Sequence, residues 1–459
     1  MSGQMTVPGA LTTDLYEVSM ALVYLREGMT GEAVFDLFVR DLPPRRGFLV
    51  AAGLESALSY LEGLRVGPAE TAAFADALHR PVADLEPLRG LEFTGEVRAV
   101  PEGRVVLAGE PLLEVTAPLP QAQFVETCLL NQLSHQTAVA SKAVRCVLAA
   151  AGRPVVDFSL RRTQGIEAGL RMARLGSLAG FAGTSNVAAA TAYGLPAVGT
   201  MAHSYIEAYG DEEAAFRAFA RAHPGPVTFL VDTYDTEEGV AVAARVLHDL
   251  GYGPGCGIRI DSGDLGGLAV RARRILDAAG LPEVRIVVSG GLDEYGIDRL
   301  VRSGAPVDVC AVGTRVGVSA DAPYLDSAYK LVSYDGRPVM KLSAAKVTAP
   351  GAKQVFRGPG LTDTVGLRDE VPPPGAAPVL ETVMSGGRRT AGPAPLAVAR
   401  ERLAADLAGL PGEARRIDDP VPPEAAVSAA LARLTGEVRR RIGDRRAGGR
   451  ARGATGGAS

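Results

Sequence analysis

Tryptophan is absent from this 459-residue sequence, histidine occurs five times and cysteine four times. Each scarcity removes a class of chemistry. Cys128, Cys146, Cys256 and Cys310 stand far apart and form no CxxC pair, which argues against a zinc cage or a disulfide framework and fits a reducing cytoplasm. No run of about 18 uninterrupted apolar residues occurs. The opening segment MSGQMTVPGALTTDLYE has no basic stretch followed by an apolar core, so neither membrane insertion nor export is expected. Excess positive charge is missing too: the net charge is −4 and the pI near 5.9, which gives no global attraction to nucleic acid or anionic membranes. Any anionic ligand must therefore be held by local groups. GxxxxGK[ST], HExxH and GxSxG do not occur, removing the P-loop, the zinc-protease helix and the nucleophile elbow.

What is present describes a well-packed soluble protein, with 47% hydrophobic and 22% charged residues and a mean hydropathy of +0.12. The 55 glycines and 31 prolines imply many tight turns. The length exceeds what one core usually serves, so several domains are expected. DLYEVSMALVYLREG (14–28) has helical spacing, EAVFDLFVR (32–40) alternates like a strand, and residues 91–116 carry short β-rich runs between turn signals. A long helical stretch follows from about 121 to 151. Residues 1–150 therefore read as a mixed α+β N-terminal domain.

From Val155 one unit recurs: a short apolar strand, a polar or glycine-rich break, then a helical stretch. The strands read as VVDFS (155–159), GFAGTS (180–185), PAVGTMA (196–202), VTFLVDT (227–233), GIRIDSG (257–263), VRIVVSGG (284–291) and VDVCAVGT (307–314). Seven such units imply parallel strands with crossover helices. An irregular TIM-like α/β barrel over 151–330 fits better than an open doubly wound sheet, because no segment looks like an edge strand; periodicity is shared by both. YKLVSYDGRPVMKLS then reads as a hairpin around Asp335 and Gly336. Residues 331–440 form a small, loop-rich C-terminal domain, and 441–459 a disordered basic tail.

Ligands of parallel βα folds bind at the C-terminal strand ends. Here those ends offer Asp157 with Phe158, Arg161 and Arg162; Thr184 with Ser185; Thr200 with His203; Asp232; Arg259 with Asp261; Ser289, Gly290 and Gly291; and Gly313 with Thr314. The set is rich in hydroxyls, glycines, arginines and carboxylates and poor in metal-type clusters. The SGG and VGT ends let backbone N–H groups approach a phosphate; glycines also serve tight turns, but two such pairs at equivalent positions favour the anion. Arg161, Arg162 and Arg259 could clamp phosphate or carboxylate. Arg259 sits inside an apolar strand, where an unpaired charge is costly. Asp261 could orient sugar hydroxyls or hold Mg²⁺ through water, and Asp264 suits a helix N-cap. GYGPGCG precedes a strand rather than following one, so it lacks dinucleotide-loop geometry. FLVDTYDTEEG is superficially similar to a ribose-phosphate loop, but its acidic residues Asp232 and Asp235 are not adjacent. His203 has no sequence-near cysteine or serine to serve, which leaves a core or surface role, a general base, or a ring nitrogen that is itself the nucleophile.

LTTDLYE, DFSLRRTQG, FAGTSNV, GTMAHSYIEAY, LVDTYDT, IRIDSGDL and KQVFR stand in an order and spacing that resemble the nicotinate phosphoribosyltransferase family of type II phosphoribosyltransferases, from about residue 11 to 360. The resemblance implies synthesis of nicotinate mononucleotide from nicotinate and phosphoribosyl pyrophosphate (PRPP), with Mg²⁺ and ATP as co-substrate, in a homodimer with a shared active site. It implies a phosphorylated His203; Tyr16, from the partner subunit, and Phe158 around the pyridine ring; Thr200 and Arg259 on nicotinate; Arg161 near the ring and PRPP; Asp261 near the ribose; and Gly313 and Thr314 at the 5′-phosphate. The rival is nicotinamide phosphoribosyltransferase, which carries an aspartate where Ser185 stands. Serine can donate to a carboxylate that an ionised aspartate would repel. A catalytically silent phosphate-binding barrel is the alternative from another class. The residues holding ATP and Mg²⁺ are not indicated by the sequence.

Overall fold

In a computed structural model of the chain, residues 9–342 and 348–455 are described, with side chains through residue 444. They fall into two compact units. One comprises residues 138–323 and 415–419; the other comprises the described residues up to 137, those from 324 to 414 and those from 420 onward.

The first unit is built on a parallel sheet of six strands: β1 (Val155–Asp157), β2 (Gly183–Thr184), β3 (Thr228–Leu230), β4 (Gly257–Ile260), β5 (Arg285–Val288) and β6 (Val309–Val312). Their order is β2-β1-β6-β5-β4-β3, and each ladder is parallel. Ile258, Ile260, Ile286, Val288 and Val312 are fully buried, as expected of a sheet covered by its crossover helices. The helices after β2, β3, β4 and β5 start at Asn186, Asp235, Asp264 and Asp293, each of which accepts a backbone N–H three residues on. Asp264 is thus the N-cap that its sequence context suggests.

The seventh expected strand is reduced to a single parallel bridge between Ala197 and Thr184. Pro196 and Gly199 interrupt this run, and Pro196, Ala197 and Gly199 are exposed, so little apolar burial rewards a ladder there. With residue 197 beside β2, the spatial order follows the chain cyclically and breaks only between residues 197 and 228. The sheet is a half-barrel: barrel-like in order, without the closed ladder of a TIM barrel among the described residues.

The second unit has an antiparallel seven-stranded sheet, ordered Arg337–Pro338, Ser327–Tyr334, Glu32–Val39, Pro111–Pro118, Glu96–Ala99, Glu381–Ser385, Arg388–Arg389. Segments assigned from sequence to separate N- and C-terminal domains therefore share one sheet. Glu32–Val39 is buried along most of its length and needs a partner at each edge; Pro111–Pro118 supplies one and Ser327–Tyr334 the other. Phe35 stacks on Tyr329 at 4.7 Å across the second of these pairings. The hairpin turn at Asp335 and Gly336 takes positive φ at both residues, as the sequence suggests. A four-stranded sheet around Lys353–Arg357 and Asp363–Leu367 and a short pairing of Leu49–Val50 with Val105–Val106 also belong to the unit. Its last helix, Ala429–Thr455, runs into the segment expected to be a disordered tail; arginine and alanine are good helix formers, and residues 456–459 lie outside the described residues.

Candidate active site

The half-barrel brings its strand ends together around three buried or half-buried charges. At the end of β1, Asp157 is buried; one carboxylate oxygen accepts the Ser159 N–H at 2.9 Å and the other accepts the Thr184 hydroxyl of β2 at 2.7 Å. Burial pushes its pKa up, against those two hydrogen bonds. Asp157 therefore acts as a strut that turns the chain at Phe158. The Phe158 N–H donates to the Val312 carbonyl at 2.7 Å, and its ring centroid lies 5.8 Å from the Arg259 guanidinium carbon.

Arg259, in the middle of β4, is 8% exposed. Its Nη1 donates to the Thr200 hydroxyl, its Nη2 lies 3.7 Å from Asp261 Oδ1, and its buried Nε has no hydrogen-bond partner. Burial, more than the neighbouring Arg161 charge, lowers its pKa from the usual arginine range. A buried guanidinium with an idle N–H is a ready-made clamp for an anion.

Asp232, just beyond β3, organises the other side. Its Oδ2 accepts the Asp261 N–H at 2.9 Å and the Ser262 hydroxyl at 2.7 Å, while Oδ1 is buried without a hydrogen-bond partner, 4.0 Å from His203 Nε2. His203 opens the helix His203–Tyr209, is 37% exposed, and its Nδ1 lies 3.1 Å from the Thr233 hydroxyl. This contact spans the opening in the sheet between residues 197 and 228. Asp261 is held in turn by the Ser289 hydroxyl. Gly290, at φ +90°, packs so closely that a Cβ there would lie 1.7 Å from the Asp261 carbonyl oxygen. Glycine is required at that position.

Phe158, Thr200, Arg259, Asp261, Ser289 and Gly290 are thus linked by direct contacts, His203 joins them through Asp232, and Gly291 continues the same turn. Gly313 meets them through the Phe158 carbonyl, 3.3 Å from where its Cβ would be, and Thr314 starts the short helix Thr314–Gly317. Ser185 is half-buried, and its N–H donates to the Asp157 carbonyl at 2.8 Å. Arg161 is exposed on the turn Leu160–Arg162. Tyr16 belongs to the other unit, on helix Leu15–Arg26; it is 47% exposed, and burial together with Glu126 and Glu17 raises its pKa. Asp232 stands among the strand ends picked out in the sequence without a role of its own, and Thr233 and Ser262 are not picked out there; contacts between strands bring all three into the site. The usable signal was Asp232 itself, an acid ending an apolar strand.

Among the described residues no group of three or more His, Cys, Asp or Glu side chains could hold a metal unaided. The orphaned Asp232 Oδ1 beside Asp261 nevertheless suits Mg²⁺, which binds through one or two carboxylates and completes its shell with water and substrate phosphate. No helix among the described residues is long and apolar enough to cross a membrane.

Comparisons with known proteins agree across both units. The family model described as the nicotinate phosphoribosyltransferase N-terminal domain matches residues 11–134, and that of the nicotinate phosphoribosyltransferase family matches residues 154–303. Nicotinate phosphoribosyltransferase pncB2 of Mycobacterium tuberculosis is 45% identical over 437 residues, 93% of this chain and 94% of its own. The Bacillus subtilis nicotinate phosphoribosyltransferase is 41% identical over 357 residues, 76% of this chain and 73% of its own. The crystal structure of human nicotinic acid phosphoribosyltransferase matches with a TM-score of 0.81 at 30% identity, covering 93% of this chain and 99% of that one.

Proposed function

The chain belongs to the nicotinate phosphoribosyltransferase family, and on that premise we propose how its strand-end cluster carries out the family's reaction. It is an enzyme that forms nicotinate mononucleotide from nicotinate and PRPP for NAD biosynthesis. The observation that carries the mechanism is the pair of idle polar groups facing the strand ends, the Arg259 Nε and the Asp232 Oδ1.

Displacement of pyrophosphate from the anomeric carbon passes through a positively charged, oxocarbenium-like state, so the site must hold two anions and position one ring nitrogen. Arg259 and Thr200 bind the nicotinate carboxylate, with Ser185 as a further donor. Phe158 covers one face of the pyridine ring and Tyr16 of the partner subunit the other, in a homodimer with a shared site. Asp261 faces the ribose, where its carboxylate opposes the developing charge. The backbone of Ser289, Gly290 and Gly291 and of Gly313 and Thr314 holds the 5′-phosphate, and Arg161 offsets charge on PRPP. Asp232 and Asp261 would hold Mg²⁺, which supplies neutralisation of the pyrophosphate. We place the reaction in the cytoplasm and read the half-barrel as an irregular TIM-like barrel.

ATP enters through His203. With Nδ1–H donated to Thr233, Nε2 carries the lone pair; it attacks the γ-phosphorus of ATP, the N–P bond forms, the P–O bond to ADP breaks, and ADP leaves. Asp232 Oδ1 stabilises the imidazolium-like charge that results. The test is product formation by purified protein with nicotinate or nicotinamide, PRPP and Mg²⁺, with and without ATP. Nicotinate mononucleotide that rises with ATP is expected. Preference for nicotinamide would assign the alternative substrate, and PRPP binding without pyrophosphate release would mean a silent phosphate-binding barrel.

A further inference from the structure

The turns after β5 and β6 are separate pieces of chain, yet to grip one phosphate they must keep a fixed separation. Two ties join them. On the exposed side, Asp293, the N-cap of helix Glu294–Arg302, accepts a hydrogen bond from Arg315 Nη1 at 3.1 Å, and Arg315 directly follows Thr314. Beneath, Lys142 of helix Glu126–Ala150 pairs with Glu294 at 2.5 Å and with Asp321 at 2.8 Å, so a single ammonium holds residues that follow both turns. Arg145 adds a second contact to Glu294 at 3.0 Å and donates to the Ile417 carbonyl at 2.8 Å. The Tyr295 ring lies 5.6 Å from both cations.

Lys142, Arg145 and Glu294 are buried to 2% exposure or less. Such a cluster is a poor way to gain stability, because desolvating the charges offsets most of their attraction; fixing geometry is the better-attested use. Burial lowers the Lys142 pKa, but Glu294 and Asp321 outweigh it and hold the ammonium above its usual range. The lysine therefore stays charged.

We propose that Lys142 and the Asp293–Arg315 pair are positioning residues that set the spacing between the Ser289–Gly291 and Gly313–Thr314 turns, and through it the affinity for the phosphate end of PRPP. The inference rests on the reading that these turns hold PRPP. The exposed tie gives the cleanest test. Asp293→Asn keeps the N-cap acceptor, and Arg315→Met changes a side chain that is 54% exposed, so both variants should fold.

Each single variant is expected to raise the Kd for PRPP, measured by calorimetry, and its KM by about ten-fold, with kcat, the nicotinate KM and Tm little changed. The double variant should be no worse than the weaker-binding single, because one tie can be cut only once. Lys142→Met should act in the same direction, with Lys142→Arg restoring affinity; should Lys142→Met not fold, the Asp293–Arg315 cycle decides alone. Wild-type affinity in both single variants would overturn the proposal. So would losses that multiply in the double variant, since Arg315 would then act by itself on the ligand. Wild-type protein that fails to bind PRPP sinks the reading of the turns instead.

Discussion

Replacing Arg259 by methionine separates recognition of the substrate carboxylate from maintenance of the fold. In the free protein the guanidinium makes one hydrogen bond, to Thr200, and leaves Nε buried and idle. An unsatisfied buried donor costs about 1–3 kcal/mol, which offsets most of what the Thr200 bond returns. Methionine also removes the cation 3.7 Å from Asp261, whose side chain is 34% exposed, so stability should fall by about 1–2 kcal/mol. With nicotinate bound, Nε and one Nη can each donate to the carboxylate, and charge-assisted bonds contribute about 1.5–3 kcal/mol apiece. Allowing for non-additivity, a net loss of about 2 kcal/mol is expected, which raises the nicotinate KM roughly 30-fold. A neutral carboxamide gains less from the charge, so the nicotinamide KM should rise less and discrimination between the two bases should narrow. The assay is steady-state formation of both mononucleotides at saturating PRPP, with Tm measured alongside. Equal losses for both bases, or a loss confined to PRPP, would refute the assignment of Arg259 to the carboxylate.

Three further expectations follow from the geometry. Gly290→Ala forces a Cβ to 1.7 Å from the Asp261 carbonyl at a φ of +90°, so it should cost about 1–3 kcal/mol and weaken PRPP binding; unchanged Tm and KM would mean the turn is freer than it looks. Ser185→Asp places a carboxylate near the nicotinate site and should raise the nicotinate KM at least about ten-fold while sparing nicotinamide, which competition between the two bases would read. Glu110, in the second unit, has its pKa pushed well above the usual carboxylate range by burial first and then by the charge of Asp363, with Arg357 only partly opposing. Its folded pKa lies above the unfolded one, so its contribution is complete below pH ~4.3 and is lost as pH rises toward the folded value. Glu110→Gln, which keeps an acceptor for the Leu107 N–H, should match wild type at acidic pH and become progressively more stable than it as pH rises; a difference that does not grow with pH would contradict this.

Much of this arrangement is legible in the sequence because it depends on local signals. The strand ends, the Asp264 cap and the Asp335–Gly336 hairpin all lie within a few residues of the chemistry that specifies them. PAVGTMA misleads because apolar composition is the same whether a run pairs or lies at the surface. The shared sheet of the second unit is invisible for a different reason: Ser327–Tyr334 joins Glu32–Val39 across almost 300 residues, and nothing local encodes that pairing. Asp232 matches no motif of adjacent acids, because its partners are Asp261 and Ser262 on the neighbouring strand's loop. Its importance lies in contacts between strands, which spacing along the chain does not display.

Coupling to ATP rests on His203 as a reactive group beside Asp232. Wild-type protein and His203→Ala should be incubated with ATP labelled at the γ-phosphate, and acid-labile, base-stable label on the protein measured alongside nicotinate mononucleotide formation. Label on the wild type at up to one phosphate per chain, absent from His203→Ala together with the stimulation by ATP, is the predicted result. Equal labelling of both proteins, or full ATP stimulation in the alanine variant, would contradict it.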